Sequence, residues 1–275
     1  MVTKVLITGM SGLIGELVKE KLGELGSYEL TALNRTNIEG VKTIQADISD
    51  LSAIKDAFVG QDIVIHLAAV LVNADWQQLM AVNVNGTYNV FEASRLAGVK
   101  RVVNASSGAT IKGVVKGEGI YKDLEDGNYE NVPNPWKMIT HNDFHPYGLY
   151  GVSKMAGEGL ARHFSDVYKL PIINLRIGTV RPSGVPEEDQ DYSIYLSHRD
   201  VVQSILLAMN APDDMLFETF LVTSDNKWGY RDIEHFKEVL GFAPEDRVED
   251  FRNTTNKPVT KRTPTGGYWV KNQGL

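Results

Sequence analysis

Val2-Thr3-Lys4-Val5-Leu6-Ile7-Thr8 runs directly into Gly9-Met10-Ser11-Gly12-Leu13-Ile14-Gly15, and then into Glu16-Leu17-Val18-Lys19-Glu20-Lys21-Leu22. The first stretch is a short apolar run rich in β-branched residues, and the last repeats apolar residues at helical spacing. The glycines therefore stand between a strand and a helix. A turn of this kind gathers backbone N–H groups at the positive end of a helix, which suits an anion such as a pyrophosphate. This is the context a dinucleotide fingerprint requires, and it makes Gly9, Ser11, Gly12, Leu13, Ile14 and Gly15 candidate cofactor contacts.

Working outward, short Val/Ile/Leu runs alternate with helical-period stretches as far as residue 176. The pattern predicts an α/β fold: a Rossmann-type, doubly wound parallel sheet with helices on both faces and a small C-terminal substrate-binding region. Strands are expected at Val2–Thr8, Glu29–Leu33, Thr43–Gln45, Ile63–His66, Arg101–Ala105, Ile172–Arg176 and Thr219–Val222. Helices are expected at 74–98, 150–168, from Asp200 to about 210, and at Arg231–Leu240. A dinucleotide-binding domain at 1–178 is expected, with a small region at 179–275 packed against it as one continuous unit. Two segments break the rhythm, 113–146 and 182–196, and both have the Gly/Pro/Asn-rich look of loops over a site. The chain ends in a Lys/Thr/Gly-rich tail.

Composition narrows the function. With 275 residues, 43% hydrophobic and 23% charged, the chain falls in the globular range. A net charge of −7 with no Lys/Arg-dense run argues against nucleic acid as a partner. No apolar stretch approaches the roughly 18 residues of a membrane span, and the N-terminus reads as a strand instead of a signal peptide, so a cytoplasmic protein is expected. The absence of cysteine removes thiol catalysis and thiolate metal sites. The six histidines lie at no ligand spacing, so no metal is expected.

Further along, Asn34-Arg35 ends the second strand, where a carboxylate would bind the ribose hydroxyls of NAD. Arg35 can instead pair with a 2′-phosphate through its planar fork, which favours NADP, while Asn34 can still bond a ribose hydroxyl of NAD. Asp47-Ile48 closes the third strand, where Asp47 can accept from an adenine amino group or cap a helix. His66 ends the fourth strand and reads as structural. The small residues after it, in Leu67-Ala68-Ala69, allow close approach of a cofactor.

Tyr150-Gly151-Val152-Ser153-Lys154 opens a helical stretch, so Tyr150 and Lys154 share one face. A tyrosine of ordinary pKa near 10 is a poor base at neutral pH. A neighbouring ammonium and a cationic nicotinamide would stabilise its phenolate.

Taken in order, GMSGLIG at 9–15, DIS at 47–49, HLAA at 66–69, NVNGTYNV at 83–90, ASS at 105–107, YGVSK at 150–154 and LRIGTVRP at 175–182 resemble the extended branch of the short-chain dehydrogenase/reductase superfamily. The resemblance implies that Tyr150 is the general acid/base, that Lys154 lowers its pKa and holds the nicotinamide ribose, and that Ser107 bonds the substrate oxygen. It places Asn83 in the supporting framework around the cofactor, Ile177 at the cofactor, and Thr179 near the nicotinamide or substrate. The serine segment is one residue longer than the family spacing, so Ser106 and Thr110 are alternatives to Ser107. The helices at 74–98 and 150–168 resemble those that form a four-helix dimer interface, which implies a homodimer.

The stretches at 194–209 and 220–246 resemble uronate dehydrogenases and related sugar or sugar-phosphate dehydrogenases. This implies oxidation of a small sugar, sugar acid or sugar phosphate at a hydroxyl, with NAD or NADP as acceptor. Leu71, Gly108, His145, Thr179 and Arg181 are candidate substrate contacts, and Arg181 or the His198-Arg199 pair would meet an acidic group. Leu71 stands where uronate dehydrogenases tend to place a polar contact. Two other readings remain: a nucleotide-sugar epimerase that reduces its bound cofactor transiently, and a non-catalytic dinucleotide sensor. A dehydratase is disfavoured because Gly108-Ala109 occupy the place of its acid/base pair.

Overall fold

The apolar run at the N-terminus forms β1 (Thr3–Thr8), whose last four side chains are buried. The computed structural model describes residues 2–188 and 190–251, and the Lys/Thr/Gly-rich tail lies outside them. Beside β1 stand β2 (Tyr28–Asn34), β3 (Lys42–Gln45), β4 (Ile63–His66), β5 (Arg101–Ser107), β6 (Ile172–Ile177) and β7 (Phe217–Val222). They pair in parallel in the order β3-β2-β1-β4-β5-β6-β7. The order reverses between β1 and β4, and in open sheets of this kind ligands bind in the crevice at the carboxyl ends there.

Two apolar layers hold the sheet. On one face α1 (Leu13–Leu25) contributes Val18 and Leu22. On the other face lies α2 (Leu51–Ile54), with α3 (Trp76–Gln78) and α4 (Thr87–Ala97) following. Val90 and Phe91 of α4 pack there against Ala161 and Phe164 of α6 (Gly148–Tyr168), which follows α5 (Ile120–Asp126). Past β6, α7 (Asp191–Ile194) packs outside this layer, and α8 (His198–Met209) and α9 (Glu234–Leu240) complete it, with Val201, Ile205 and Phe236 joining the core beside Leu196.

The expected strands all form, some longer by one or two residues. Two helices differ. The stretch 74–98 is not one α-helix: between α3 and α4, Leu79–Gly86 winds as a π-helix. The helix expected from Arg231 begins at Glu234, because Arg231 is held in an extended bridge to Ile139 and Asp232 accepts from the Glu234 N–H at 2.9 Å.

Past residue 178, β7 extends the parallel sheet and α8 packs in the same layer as α1. What stands apart is a third cluster, in which Ile111 and, from the 113–146 region, Val115, Leu124 and Ile139 pack with Ile194, Leu221 and Tyr230. Tyr129 and Trp136 stack on Trp228, the former at 4.2 Å and 4°, and Trp136 Nε1 donates to the Gly229 carbonyl. The insertion and the segment after β7 thus build one cap at the carboxyl edge of the sheet.

Candidate active site

A cleft of about 660 Å³ opens at the switch point, within the range of roughly 300–1,000 Å³ usual for ligand pockets. Gly9, Ser11, Gly12, Leu13, Ile14 and Gly15 form its floor. Gly9 has φ 71°, and a Cβ there would meet the Ala68 nitrogen at 2.7 Å. At Gly15 a Cβ would meet the Met10 carbonyl oxygen at 2.5 Å. The loop is therefore as close to β4 and to its own helix as backbone can come, and it leaves the N-terminal N–H groups of α1 facing the cleft.

Asn34, Arg35, Asp47, Ile48, Leu67, Ala68, Ala69 and Ile177 line the same cleft. Asn34 spends its amide on Ser11 Oγ and on Thr36, bracing the glycine loop. Asp47 accepts from the N–H and hydroxyl of Ser49 at 2.9 and 2.7 Å, and the backbone bond from Ser49 leads in holding its carboxyl below the usual range. The helix cap belongs to Asp50, which accepts from Ser52 and Ala53. His66 is buried between Thr8 Oγ1 and Thr87 Oγ1, at 2.8 and 3.0 Å, and burial lowers it to about 3, so it is a neutral structural histidine.

Ser107, Tyr150 and Lys154 meet at the other end of the cleft. The Ser107 hydroxyl accepts from the Ala109 N–H at 3.1 Å and stands beside the Tyr150 phenol, opposing the effect of burial on it. The alternatives to Ser107 are engaged elsewhere. Ser106 Oγ donates to buried Glu158, and Thr110 Oγ1 donates to the Ser107 carbonyl. Lys154 Nζ donates to the Ala105 carbonyl at 2.8 Å and lies 5.9 Å from the Tyr150 ring centre. Burial lowers Lys154 to about 8, opposed by the negative charge of Glu158. Burial also raises Tyr150, and the opposing influence on it comes from Ser107, not from Lys154 as expected. The cause is distance, since the ammonium is anchored on β5 and not on the phenol.

Five expected contacts stand outside the cleft lining. Asn83 is buried, with its side chain bonding both the N–H and the carbonyl of Val70 at 2.9 Å and reaching Ser153 Oγ, so it positions the wall behind the cofactor cleft. Thr179 is taken up in a bridge to Tyr195, while its neighbours Gly178 and Val180 line the cleft. Arg181 is not free for an acidic substrate, because its guanidinium is gripped by buried Asp191 at 3.0 and 2.9 Å, with Glu187 and Glu188 beside it. His145 is exposed, with its ring lying over Gly113 and its backbone tied to Thr110 and Gly113. Gly108 is buried beneath the guanidinium of Arg231. Of the other cations considered, Arg199 pairs with Glu245 and Asp246 at the surface, and His198 bonds the Arg181 carbonyl. Leu71 does line the cleft and is 61% exposed at its mouth.

Sequence spacing also missed one histidine cluster. His141, Glu218 and His235 offer ligand atoms within 4.8 Å of one another. The two rings stack at 3.9 Å and 22°, and His235 Nε2 lies 3.2 Å from the Glu218 carboxylate.

Residues 5–197 match the NAD dependent epimerase/dehydratase family, and the chain belongs to it. Among relatives, it is 28% identical to an NAD-dependent glucose-6-phosphate dehydrogenase of Haloferax volcanii, over 90% of this chain and 95% of that one. It is 31% identical to a uronate dehydrogenase of Agrobacterium fabrum, over 95% and 90%. The fold superimposes on a mutant uronate dehydrogenase from Agrobacterium tumefaciens complexed with NAD, with a TM-score of 0.77 at 28% identity, covering 98% of this chain and 92% of the other. Among the described residues no helix is long and apolar enough to cross a membrane.

Proposed function

We propose that the chain is an NAD(P)-dependent dehydrogenase acting on a hydroxyl or carbonyl of a small sugar, sugar acid or sugar phosphate. One observation carries this reading: Ser107, Tyr150 and Lys154 come together at one end of a cleft whose other end is a dinucleotide-type glycine loop. The loop at 9–15 would hold the pyrophosphate, Asp47 the adenine end, and Ile177 the nicotinamide end. When bound, the oxidised nicotinamide supplies the hydride acceptor and a positive charge.

The residues of the chain handle the proton. Ser107 Oγ would orient the substrate hydroxyl, and Tyr150 in its phenolate form would take the hydroxyl proton at Oη as hydride passes from the carbon bearing that oxygen to the nicotinamide. In the reverse direction Tyr150 returns the proton to the carbonyl oxygen. Lys154, fixed on the Ala105 carbonyl, presents its charge to the ribose side of the cleft. The names of the relatives support a carbohydrate substrate, and the short, capped carboxyl edge favours one without an attached nucleotide.

NADP as well as NAD fits this cleft. Arg35 is exposed at the end of β2 and lines the cleft, near enough to Asp47 for its charge to help lower that carboxyl, and its fork is open to a 2′-phosphate. Exposed Tyr88 and Leu96 on α4, with Val152, Val167 and Tyr168 on α6, support a homodimer through these two helices.

The test is near-ultraviolet absorbance of the reduced nicotinamide, with the purified chain, either dinucleotide, and a panel of aldoses, uronates and sugar phosphates. Net reduction with one class establishes the dehydrogenase. Reduced dinucleotide that stays bound without net turnover would overturn it in favour of an epimerase.

A further inference from the structure

Arg231 is 4% exposed, and its Nε and Nη1 have no hydrogen-bond partner among the described residues. A guanidinium carries five N–H donors and keeps its charge in proteins, so leaving two of its nitrogens unpaired away from water is costly. Folded chains retain such a group where something else completes it. The residues around Arg231 satisfy it only in part, since the Tyr230 hydroxyl is within its reach while Nε and Nη1 stay unpaired. Its backbone bridges Ile139, with Ile139 donating to the Tyr230 carbonyl at 2.7 Å and Asp232 donating to the Ile139 carbonyl at 2.8 Å. Its guanidinium carbon lies 5.8 Å from the Tyr230 ring centre. The other charge felt at the Tyr230 hydroxyl belongs to Glu125, which is itself buried with an unpartnered oxygen and does not fill Nε or Nη1 of Arg231.

The guanidinium lies where a side chain at position 108 would be. A Cβ on Gly108 would come within 2.2 to 2.4 Å of its Nη2, Nη1 and central carbon. Gly108 directly follows Ser107, so its Cα is about 3.8 Å from that of the residue that meets the substrate oxygen. The absence of a side chain at 108 thus lets a buried cation with two unpaired nitrogens, from the segment after β7, stand just behind the cleft lining, one residue along the chain from Ser107. The cations considered from sequence, Arg181 and Arg199, are both neutralised by carboxylates.

Resting on the dehydrogenase reading above, we infer that Arg231 binds an anionic substituent of the substrate, a carboxylate or a phosphate monoester, with its fork lying over Gly108. The shared chemistry is an anion with two or more oxygens, which a planar fork meets with paired hydrogen bonds. Because the Ile139 bridge holds Arg231 in place, the 113–146 insertion is part of the specificity apparatus even though its histidines and its tryptophan stay outside the cleft.

The experiment compares wild type, Arg231→Met and Arg231→Lys on glucuronate, glucose 6-phosphate and glucose, with dinucleotide affinity as the control for folding. In wild type, kcat/KM on one of the two anions exceeds that on glucose, and which anion leads distinguishes carboxylate from phosphate. In Arg231→Met the ratio of anionic to neutral kcat/KM falls about 100-fold, and Arg231→Lys restores part of it. A purely structural role would lower all three substrates together and leave the ratio unchanged, which would overturn the inference. Wild type that oxidises glucose and neither anion would also overturn it while leaving the dehydrogenase intact. Should no sugar be oxidised, calorimetric binding of glucuronate or glucose 6-phosphate that is lost in Arg231→Met would sustain the anion site and sink the dehydrogenase. No binding of either anion would sink the inference.

Discussion

Glu158 holds Arg176 by two parallel bonds, from Nε at 3.0 Å and Nη2 at 2.9 Å, in a fully buried pair. The same carboxylate accepts from Ser106, and the remaining Arg176 nitrogen donates to the Asp143 carbonyl at 2.7 Å. One ion pair therefore joins α6, β5, β6 and the loop that leads into α6.

Removing one member of a buried pair leaves the other charge uncompensated. Glu158→Ala is expected to lower unfolding stability by about 3–5 kcal/mol, read from urea denaturation. A loss below 1 kcal/mol would show that water reaches the pair.

Tyr150→Phe is expected to reduce kcat by about 10²–10⁴-fold, the range of a lost general acid/base, with dinucleotide affinity changed little. Steady-state kinetics with a parallel binding titration would check this, and undiminished turnover would remove Tyr150 from the chemistry.

Burial keeps the Tyr150 phenol protonated to higher pH than an ordinary tyrosine, so sugar oxidation is expected to speed up as pH rises. Lys154, lowered to about 8, loses its positive charge above that pH, so the profile should bend there. Because the charge of Glu158 raises Lys154, Glu158→Gln should move the bend to lower pH. A bend that stays in place in that variant would belong to another group.

His66 is neutral in the fold down to about 3, whereas an unfolded histidine protonates near 6.5. Its folded pKa is the lower one, so its contribution is intact above about 6.5 and declines as pH falls toward 3. His66→Asn is expected to flatten the dependence of unfolding stability on pH within this window; an unchanged slope would assign acid sensitivity to the carboxylates.

Arg35→Ala is expected to lower the NADP-to-NAD ratio of kcat/KM by about 10-fold or more, the worth of one charge-assisted bond to the 2′-phosphate. No change in the ratio would make Arg35 a solvated surface charge.

The parts of this site that read clearly in the sequence are those whose partners lie within one turn or one strand end. The glycine loop is defined by its own seven residues, and Tyr150 and Lys154 by helical spacing, and both line the cleft. The candidate cations were illegible because a charge is available only if its neighbours leave it so. Arg181 lost its freedom to Asp191 ten residues on, and Arg231 gained its place through a bridge to Ile139 and the missing side chain at Gly108. Thr179 failed on alternation: the strand-like path puts Gly178 and Val180 at the cleft and turns residue 179 into the bridge with Tyr195. The sheet itself was legible because its strands are near-continuous apolar runs, the mark of burial on both faces.

The π-wound stretch Leu79–Gly86 gives the chain an unusual sensitivity to length. Each residue of an ordinary helix turns the chain by about 100°, and a wide turn accommodates an extra residue within that winding. Deleting a single residue between 79 and 86 would let the stretch relax into a regular helix, and the phase of everything before the deletion would rotate against everything after it. Asn83 would then face away from Val70 while Thr87 kept its hold on His66. Among relatives, natural gains and losses of sequence should therefore avoid this window and gather instead in the 113–146 insertion, where a change in length alters the cap and leaves the cofactor cleft in register.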